Sequence, residues 1–541
     1  MAEAAYTVAS DSETSREEKF SFTFPETTIG IDIGTSQCRV AIWNGSQVEI
    51  LKNSRNVKMM SSYVTFKDGT PSGEISNPLS TDHEMLSGAA IFNMKRLIGR
   101  DDTDPVVHSS KSLPFLVQTL DIGVRPFIAA LVGNFWRSTT PEEVMAIYLV
   151  ELREMVEIQL KRPIKNVVLT VPVSFSRFQL TRIERACAMA GLHILRLMPE
   201  PTAVALLYTL YAKQSGFQST DRNVLIFNMG AGYCDVALSV TAEDAARGIS
   251  EIIALTGSAI GGEDLLQNMM RHVLPNAENL LTSHGVEEIK SKGLLRVVDR
   301  EEFEEVNRAV FGKCASLIIQ CLHDAKVKPE DVNDVILVGG CSYIPKIKNL
   351  LMSICKKEQL YEGINPLEAA VSGAALEGYV ASGVHDPFES VDVLSIQVTP
   401  LSIGVRADGN NFVPIIPRNT RIPTQREMLF TTTHDNQVQA LTVVYEGDGN
   451  KLEENHLLGY FKIEGIPPAP KGVPQIRVMM DIDTSNVLRV LAAVLMPGSH
   501  LPINPVLDVR MPTVDDGHAW CAEALNRTYG ATLDLVSVKR I

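Results

Sequence analysis

Two glycine turns, each entered from an apolar strand, contain the residue types that bind phosphate and a divalent cation. The first reads Asp32-Ile33-Gly34-Thr35, and the second reads Asn228-Met229-Gly230-Ala231-Gly232. Glycine lets the backbone approach an oxyanion closely, and successive N–H groups of a tight turn form an anion-binding nest. A carboxylate at the end of such a strand can hold a hydrated Mg²⁺ ion above the phosphates.

Ordinary β-hairpins are the alternative interpretation, because the commonest hairpin turns also use Gly, Asp and Asn. The two turns lie about 196 residues apart, and after each one the chain returns as a strand, through 38–43 and through 235–238. Self-similarity of this kind indicates a duplicated α/β core. The matched pair therefore favours a nucleotide site between two related halves.

The segments around the turns alternate between strand and helix patterns. Thr140-Pro141-Glu142-Glu143 has the form of a capping box with Pro at the first helical position, and apolar residues at helical spacing follow it. Apolar runs at 167–171 and 335–338 have the composition of buried strands. This alternation predicts an α/β fold.

Composition excludes several classes of protein. The chain has 541 residues and a formal net charge of −14, and no block of Lys and Arg is available to neutralise phosphates, so we expect no nucleic acid partner. No apolar run reaches membrane-spanning length, so we also expect no membrane partner. The eight cysteines include no CxxC pair, which argues against zinc and for a reducing compartment. We therefore expect a cytoplasmic protein, with the nucleus as an alternative location. Residues 1–25 are predicted to form a disordered tail.

A set of ordered motifs over about residues 26–495 resembles the Hsp70 chaperones. Those of the first part resemble the family's ATPase motifs, and those of the second part its peptide-binding β-domain. The motifs are Asp32-Ile33-Gly34-Thr35, Lys95-Arg96-Leu97-Ile98-Gly99-Arg100, Glu200-Pro201-Thr202-Ala203, Gly261-Gly262-Glu263-Asp264, Val338-Gly339-Gly340-Cys341, Val398-Thr399-Pro400-Leu401-Ser402, Arg418-Asn419-Thr420, Ile422-Pro423-Thr424 and the run 465–476. The resemblance implies an actin-like, two-lobed α/β ATPase domain with a duplicated core, followed by an all-β sandwich.

The resemblance also implies the site residues of an ATPase that uses ATP/ADP and Mg²⁺. Lys95, Glu200 and Asp235 take the catalytic positions, and Asp32 and Asp235 take those that hold Mg²⁺ through water. The nucleotide-binding positions are Asp32, Gly34, Thr35, Ser36, Asn228, Gly230, Gly232, Gly261, Gly262, Glu263, Gly339, Gly340 and Tyr343. Phosphoryl transfer depends mostly on positioning and charge stabilisation, so a buried Lys and a metal suffice.

Four departures from the family pattern predict a weakened ATPase. Asn228 replaces an Asp, and an amide offers no negative charge to hydrated Mg²⁺. Ala231 and Tyr233 replace Gly and Thr, so we expect them to crowd the second turn. The 265–339 segment is shorter than in the family, and Tyr343 stands where an Arg contacts adenine.

Three functions remain open at this point. The first is an ATP-binding chaperone with slow hydrolysis, and the second is a nucleotide-independent holdase or scaffold. The third, a sugar kinase of actin-like fold, would share the hairpins but would lack the β-domain.

The β-domain resembles modules that bind extended, apolar peptide through strand addition and one side-chain pocket. Ala440 stands where the family places a larger pocket residue, Thr442 replaces an apolar neighbour, and Asp408 takes an apolar arch position. A truncated pocket forfeits about 1–2 kcal/mol of apolar burial, so we expect a shallow cleft with fast peptide release. The peptide-binding positions are Val405, Ala407, Asp408, Phe430, Thr431, Thr433, Ala440 and Thr442.

The predicted boundaries are a nucleotide-binding domain over 26–385, a linker over 386–396, a β-sandwich over 397–510, and a tail over 511–541 in place of the family's helical lid. Leu180 replaces a relay Arg, which weakens the expected coupling between the domains. Expected partners are unfolded or extended polypeptides, with J-domain and nucleotide-exchange co-chaperones as further candidates. Because the chain ends Val538-Lys539-Arg540-Ile541 rather than Glu-Glu-Val-Asp, we expect no tetratricopeptide partner there.

Overall fold

A computed structural model describes residues 27–67, 70–72, 90–100, 104–111, 113, 115–118, 126–132, 135–215, 221–244, 247–273, 298–383, 393–407, 411–484, 486–496 and 535–540. Two α/β lobes are followed by a β-sandwich, as the sequence predicts. The predicted tail 1–25, residues 386–392 of the predicted linker, and Asp408 lie outside the described residues. Within those residues, no helix is both long and apolar enough to cross a membrane.

The first lobe is built on a six-stranded sheet of order β12-β11-β1-β2-β3, with β4 beside β2. Helix α3 starts with the predicted capping box, in which Thr140 Oγ1 accepts from the N–H of Glu143 at 3.3 Å. The strands of this lobe are β1 (Thr28–Ile33), β2 (Gln37–Trp43), β3 (Val48–Ile50), β4 (Met60–Ser61), β5 (Tyr63–Lys67), β6 (Thr70–Ser72), β7 (Ala90–Phe92), β8 (Leu116–Gln118), β9 (Phe127–Val132), β10 (Phe135–Thr139), β11 (Asn166–Val171) and β12 (His193–Pro199). Its helices are α1 (Met94–Leu97), α2 (Pro105–Ser110), α3 (Pro141–Leu160) and α4 (Arg177–Met189).

The second lobe repeats the connectivity of the first. Its sheet has the order β16-β13-β14-β15-β17. Strand β13 has a parallel neighbour, β16, on one side and an antiparallel hairpin partner, β14, on the other. Strand β1 is flanked in the same way by β11 and β2. The strands are β13 (Arg222–Met229), β14 (Cys234–Asp244), β15 (Arg247–Ser258), β16 (Asp334–Val338) and β17 (Val393–Ile396). The helices are α5 (Glu200–Gln214), α6 (Gly262–Val273), α7 (Arg300–Val306), α8 (Arg308–Ala325), α9 (Pro345–Ile354) and α10 (Ala369–Ala381).

Helices α5 and α10 pack against each other between the two sheets. A Cβ on Gly373 of α10 would lie 1.9 Å from the carbonyl oxygen of Ala203 on α5, so only glycine permits this approach. A Cβ on Gly30 of β1 would likewise lie 2.3 Å from the backbone nitrogen of Ala375. These close contacts fix the distance between the sheets, and with it the distance between the two glycine turns.

The β-domain consists of two four-stranded antiparallel sheets, ordered β19-β18-β21-β22 and β24-β23-β20-β25. Their inward-facing side chains form one apolar core. The strands are β18 (Ile403–Ala407), β19 (Asn411–Ile416), β20 (Thr424–Thr432), β21 (Gln439–Glu446), β22 (His456–Glu464), β23 (Gln475–Ile482), β24 (Leu488–Leu495) and β25 (Leu535–Arg540).

The last strand corrects a predicted domain boundary. We expected the sandwich to end at 510 and 511–541 to form a separate tail, but β25 pairs antiparallel with β20 from Thr432↔Leu535 to Met428↔Arg540. Because β20 would otherwise be an edge of its sheet, β25 satisfies backbone groups that a sheet edge leaves open. Residues 535–540 therefore belong to the β-domain.

The end of the linker joins the second lobe as a strand. β17 pairs parallel with β15, from Gly248↔Val393 to Glu251↔Ile396. The hydroxyl of Ser395 in this strand is buried without a hydrogen-bond partner among the described residues. The segment still docks, since strand addition relies on backbone bonds.

Ion pairs hold the β-domain against both lobes. Arg177 of the first lobe donates its backbone N–H to Glu446 Oε2 at 2.6 Å, and its guanidinium contacts Asn486 Oδ1 at 2.8 Å. Arg418 of the β-domain contacts Asp324 of the second lobe at 3.0 Å. The domains are therefore in direct contact even though Leu180 replaces the expected relay Arg.

Candidate active site

A cleft of about 310 Å³ opens between the two glycine turns. Each lobe contributes one turn, and the loop after β16 forms a further wall. The side chains and backbone that line the cleft are those of Asp32, Gly34, Thr35, Ser36, Gln37, Arg39, Lys95, Glu200, Asn228, Gly230, Ala231, Gly232, Tyr233, Gly262, Val338, Gly339, Gly340, Cys341, Pro366, Leu367 and Ala370.

The first turn is closed by backbone bonds and requires glycine. The N–H of Gly34 donates to the carbonyl of Gln37 at 2.9 Å, and a Cβ on Gly34 would lie 2.3 Å from that carbonyl oxygen. Asp32, at the end of β1, accepts from the hydroxyl of Thr170 at 2.8 Å. Burial, with the nearby charge of Glu200, raises the pKa of Asp32 above its ordinary value. A bound cation would reverse this effect.

The second turn has the same hydrogen-bond pattern but a different strand-end residue. The N–H of Gly230 donates to the carbonyl of Tyr233 at 3.0 Å. Asn228 Nδ2 donates to Glu200 Oε2 at 2.5 Å, so the amide is held as a donor and turned toward a carboxylate. Gly339 has φ of +88°, and a Cβ there would lie 2.3 Å from the carbonyl oxygen of Met229. The loop after β16 can approach this turn so closely only because residue 339 is a glycine.

Lys95 is a buried cation at the centre of the cleft. Only 3% of the residue is exposed, and its Nζ lies 2.6 Å from Glu200 Oε1. Burial lowers the pKa of Lys95, but Glu200 and Asp32 together outweigh burial and raise it above the ordinary value. The ammonium group is therefore charged at neutral pH and can stabilise negative charge that develops in the cleft.

Asp235 lies beneath the cleft, directly opposite Asn228 in the β13–β14 pair. It is fully buried, Oδ1 accepts from the N–H of Val173 at 3.2 Å, and Oδ2 has no hydrogen-bond partner among the described residues. Burial, followed by the charge of Glu200, raises its pKa well above 3.8. A buried carboxylate oxygen without a donor is the kind of group that a hydrated cation satisfies.

Most of the predicted nucleotide-binding residues line this one cleft, but three of them do not, and neither does Asp235, a predicted catalytic and metal position. Asp235 is buried below it. Gly261 and Glu263 support the second turn from behind, where the N–H of Glu263 donates to the carbonyl of Ala231 at 2.8 Å. Tyr343, which stands where the family places an Arg against adenine, is 68% exposed and lies outside the lining.

Tyr233 does not crowd the second turn in the way that the sequence predicts. Its ring packs edge-on against Phe175, with centroids 5.5 Å apart, and belongs to the core of the first lobe. Its hydroxyl donates to the carbonyl of Lys95 at 3.1 Å. The phenol therefore connects the second turn to the segment that carries Lys95.

Arg39 and Cys341 line the cleft but were not among the predicted site residues. Arg39 follows Asp32 by seven positions and lies opposite it in the β1–β2 pair. A hairpin implies that some residue of its second strand lies opposite Asp32, but the motifs do not show which one. The Cys341 thiol donates to the carbonyl of Gly230 at 3.3 Å, and burial raises its pKa to about 11. Cys341 is therefore an uncharged packing residue at neutral pH.

The predicted peptide-binding residues are largely core residues of the sandwich. Five of them are completely buried, namely Val405, Ala407, Phe430, Ala440 and Thr442. Thr431 is nearly buried and donates to the carbonyl of Pro474 at 2.8 Å, whereas Thr433 is half-buried. In this conformation the five buried side chains are closed to a peptide.

Comparison with known proteins agrees with this architecture. A family model described as Hsp70 protein matches residues 28–296 and 279–505, and the chain belongs to the Hsp70 family. The resemblance found in the motifs, the fold class and the chaperone function are thereby confirmed. Heat shock 70 kDa protein 8 of Arabidopsis thaliana is 62% identical over 565 aligned residues, covering 100% of this chain and 100% of that relative. The chain is thus an Hsp70-type chaperone that binds ATP and unfolded polypeptides.

Proposed function

We propose that this chaperone hydrolyses ATP slowly and with Mg²⁺. The observation that carries the proposal is the asymmetry of the strand ends, because the first turn has a carboxylate at Asp32 and the second has an amide at Asn228 that donates to Glu200. Lys95 and Glu200 remain in place as a close pair. The cleft therefore keeps its central cation and lacks one of the negative charges that would hold a metal.

The remaining oxygen ligands fit a metal that is bound through water. Asp32 faces the cleft, and Asp235 presents a buried oxygen without a donor. Among the described residues, no group of three His, Cys, Asp or Glu side chains is arranged to hold a metal directly. Mg²⁺ usually keeps several waters and is held by one or two carboxylates plus phosphates, and it would supply neutralisation of phosphate charge. Lys95 would stabilise charge on the leaving side, and Glu200 would orient Lys95.

Calorimetric titration with ATP and ADP, with and without Mg²⁺, tests binding, and single-turnover hydrolysis tests the chemistry. We expect binding of both nucleotides and slow turnover in the wild-type chain. Asn228→Asp should raise the single-turnover rate in Mg²⁺ about tenfold, since a charged hydrogen bond contributes about 1.5–3 kcal/mol. Asn228→Ala is the matched control and should not gain activity. An unchanged rate in Asn228→Asp with intact binding would refute the role given to the amide.

We propose further that the β-domain binds clients weakly and releases them fast. Ala440 is small, and Thr442 brings a buried hydroxyl without a hydrogen-bond partner among the described residues into the same core. Both reduce the apolar surface that a peptide side chain can bury. Stopped-flow release of a labelled apolar heptapeptide should be fast and nearly independent of ATP. Slow release that ATP accelerates strongly would contradict this proposal.

The cytoplasm remains our proposed location, and J-domain and nucleotide-exchange co-chaperones remain proposed partners. The cysteines of the described residues support a reducing compartment, because all seven are buried free thiols. Fractionation with a compartment-specific marker tests the location, and affinity capture with purified J-domain protein tests that partner.

A further inference from the structure

Arg39 is a buried cation in the wall of the cleft to which none of the family's motifs assigns a role. It lies on β2, directly opposite Asp32 of β1 in the antiparallel register. Directly opposite residues of an antiparallel pair project to the same face of the sheet, so the guanidinium and the Asp32 carboxylate share the face that lines the cleft. Only 8% of Arg39 is exposed.

Within the described residues, the hydrogen-bond partners of the Arg39 guanidinium are neutral, and its charge acts on Asp32 without a direct contact between the two groups. The guanidinium donates to Gln37 Oε1 at 3.2 Å and approaches Met59 Sδ at 3.6 Å, and no carboxylate of the described residues lies within 4 Å of it. A guanidinium has five N–H donors, and burying its charge without a carboxylate in direct contact is costly. Of the four other arginines that are buried among the described residues, Arg96, Arg177 and Arg182 each have a carboxylate within 4 Å.

Comparison of the two hairpins shows that the charge at this position is reversed between the lobes. In the second hairpin the residue seven positions after the strand-end residue is Asp235, opposite Asn228. In the first hairpin the corresponding residue is Arg39, opposite Asp32. At the same register position one lobe therefore has a carboxylate, buried beneath the cleft, and the other has a guanidinium that lines the cleft.

We propose that Arg39 binds the phosphates of the bound nucleotide as a second cation beside Lys95, and that it makes nucleotide binding less dependent on a divalent cation. This inference rests on the proposed ATP site. The planar guanidinium can donate two parallel hydrogen bonds to phosphate oxygens, which an ammonium group cannot do. Arg39 thereby supplies positive charge in a cleft where Asn228 weakens the hold on metal.

Calorimetric titration with ATP and with adenosine, each in EDTA and in Mg²⁺, tests this role. Arg39→Gln should weaken ATP binding in EDTA at least tenfold and in Mg²⁺ by a smaller factor, with adenosine affinity unchanged. Arg39→Lys should fall between Arg39→Gln and the wild type, because it keeps the charge and loses the fork. Arg55→Gln, the same change of charge at an exposed residue, should bind as the wild type does.

Three outcomes overturn the inference. Equal ATP affinity of Arg39→Gln and the wild type in EDTA would show that Arg39 does not contact phosphate. A parallel loss of ATP and adenosine binding, together with a lower melting temperature without nucleotide, would assign Arg39 a structural role instead. A wild-type chain that binds neither ligand would refute the proposed ATP site itself, and this inference with it.

Discussion

The two glycine turns have the same backbone, but the side chains at corresponding positions carry different charges. In the first lobe the strand end carries a carboxylate, Asp32, and its opposite neighbour is the cation Arg39. In the second lobe the strand end carries an amide, Asn228, and its opposite neighbour is the carboxylate Asp235. The shared backbone depends only on the glycines and on the strand register. The charged residues can therefore differ between the two turns. The cleft is therefore asymmetric where its scaffold is symmetric.

Removing the cation between the turns should have the largest effect. Lys95→Ala should lower single-turnover ATP hydrolysis about 100- to 1000-fold, because it deletes preorganised positive charge in a buried site. Lys58→Ala is a matched control, since Lys58 also pairs with a glutamate, Glu368, but its side chain is 49% exposed. The control should hydrolyse ATP at the wild-type rate. Comparable rates for Lys95→Ala and the wild type would remove Lys95 from the mechanism.

The second prediction tests how closely the turns approach each other. A Cβ on Gly232 would lie 2.4 Å from Thr35 Oγ1 of the first turn, whereas a Cβ on Gly230 meets nothing within 4 Å. Overpacking of this kind typically costs about 1–3 kcal/mol. Gly232→Ala should therefore lower the melting temperature of the nucleotide-free protein, and Gly230→Ala should leave it nearly unchanged. Equal melting temperatures for the two variants would mean that the turns separate easily.

The third prediction concerns the pH dependence of stability at the second turn. The pKa of Asp235 is raised well above 3.8, so the folded chain binds a proton more tightly than the unfolded chain does. The stabilisation is therefore complete at low pH and is lost as the pH rises through the folded-state pKa. Asp235→Asn should flatten this dependence and raise stability at neutral pH by about 1–2 kcal/mol, while hydrolysis falls.

Urea unfolding of Asp235→Asn and the wild type between pH 4 and pH 8 measures this difference. Burial is the largest cause of the raised pKa of Asp235, the charge of Glu200 is the next, and the charge of Lys95 opposes both. Asp264→Asn is a control, because Asp264 is more exposed and has an arginine partner, Arg96. If Asp235→Asn were less stable than the wild type at neutral pH, the surroundings of Asp235 would stabilise the ionised carboxylate, contrary to this prediction.

The positions of the two turns, of Lys95 and of Glu200 were predictable, because local motifs and hairpin patterns encode them. Arg39 was missed because its role depends on which residue lies across the strand pair. The peptide-binding positions were predicted by motif, but their complete burial follows from how two sheets close on one core. Strand β25 was missed because it pairs with β20, a strand far away in the sequence. The burial of the peptide-binding positions and the pairing of β25 therefore depend on contacts between residues distant in sequence, whereas Arg39 depends on the register of one local hairpin.

Tyr233 gives the smallest of the predicted effects and tests whether the second turn is tied to the first lobe. Its hydroxyl donates to the carbonyl of Lys95 and accepts from Arg100 at 3.3 Å, while its ring packs on Phe175. Tyr233→Phe keeps the ring and removes both hydrogen bonds, so it should destabilise the protein by about 1 kcal/mol.

Hydrolysis by Tyr233→Phe should fall only slightly, because Glu200 still holds the Lys95 ammonium. Phe175→Leu is the complementary variant, since it removes the ring contact and keeps both hydrogen bonds. Thermal unfolding and single-turnover hydrolysis, measured on both variants, separate anchoring from packing. If Tyr233→Phe abolished hydrolysis at unchanged stability, the hydroxyl would position Lys95 directly, and the turns would be coupled through that bond rather than through the packed ring.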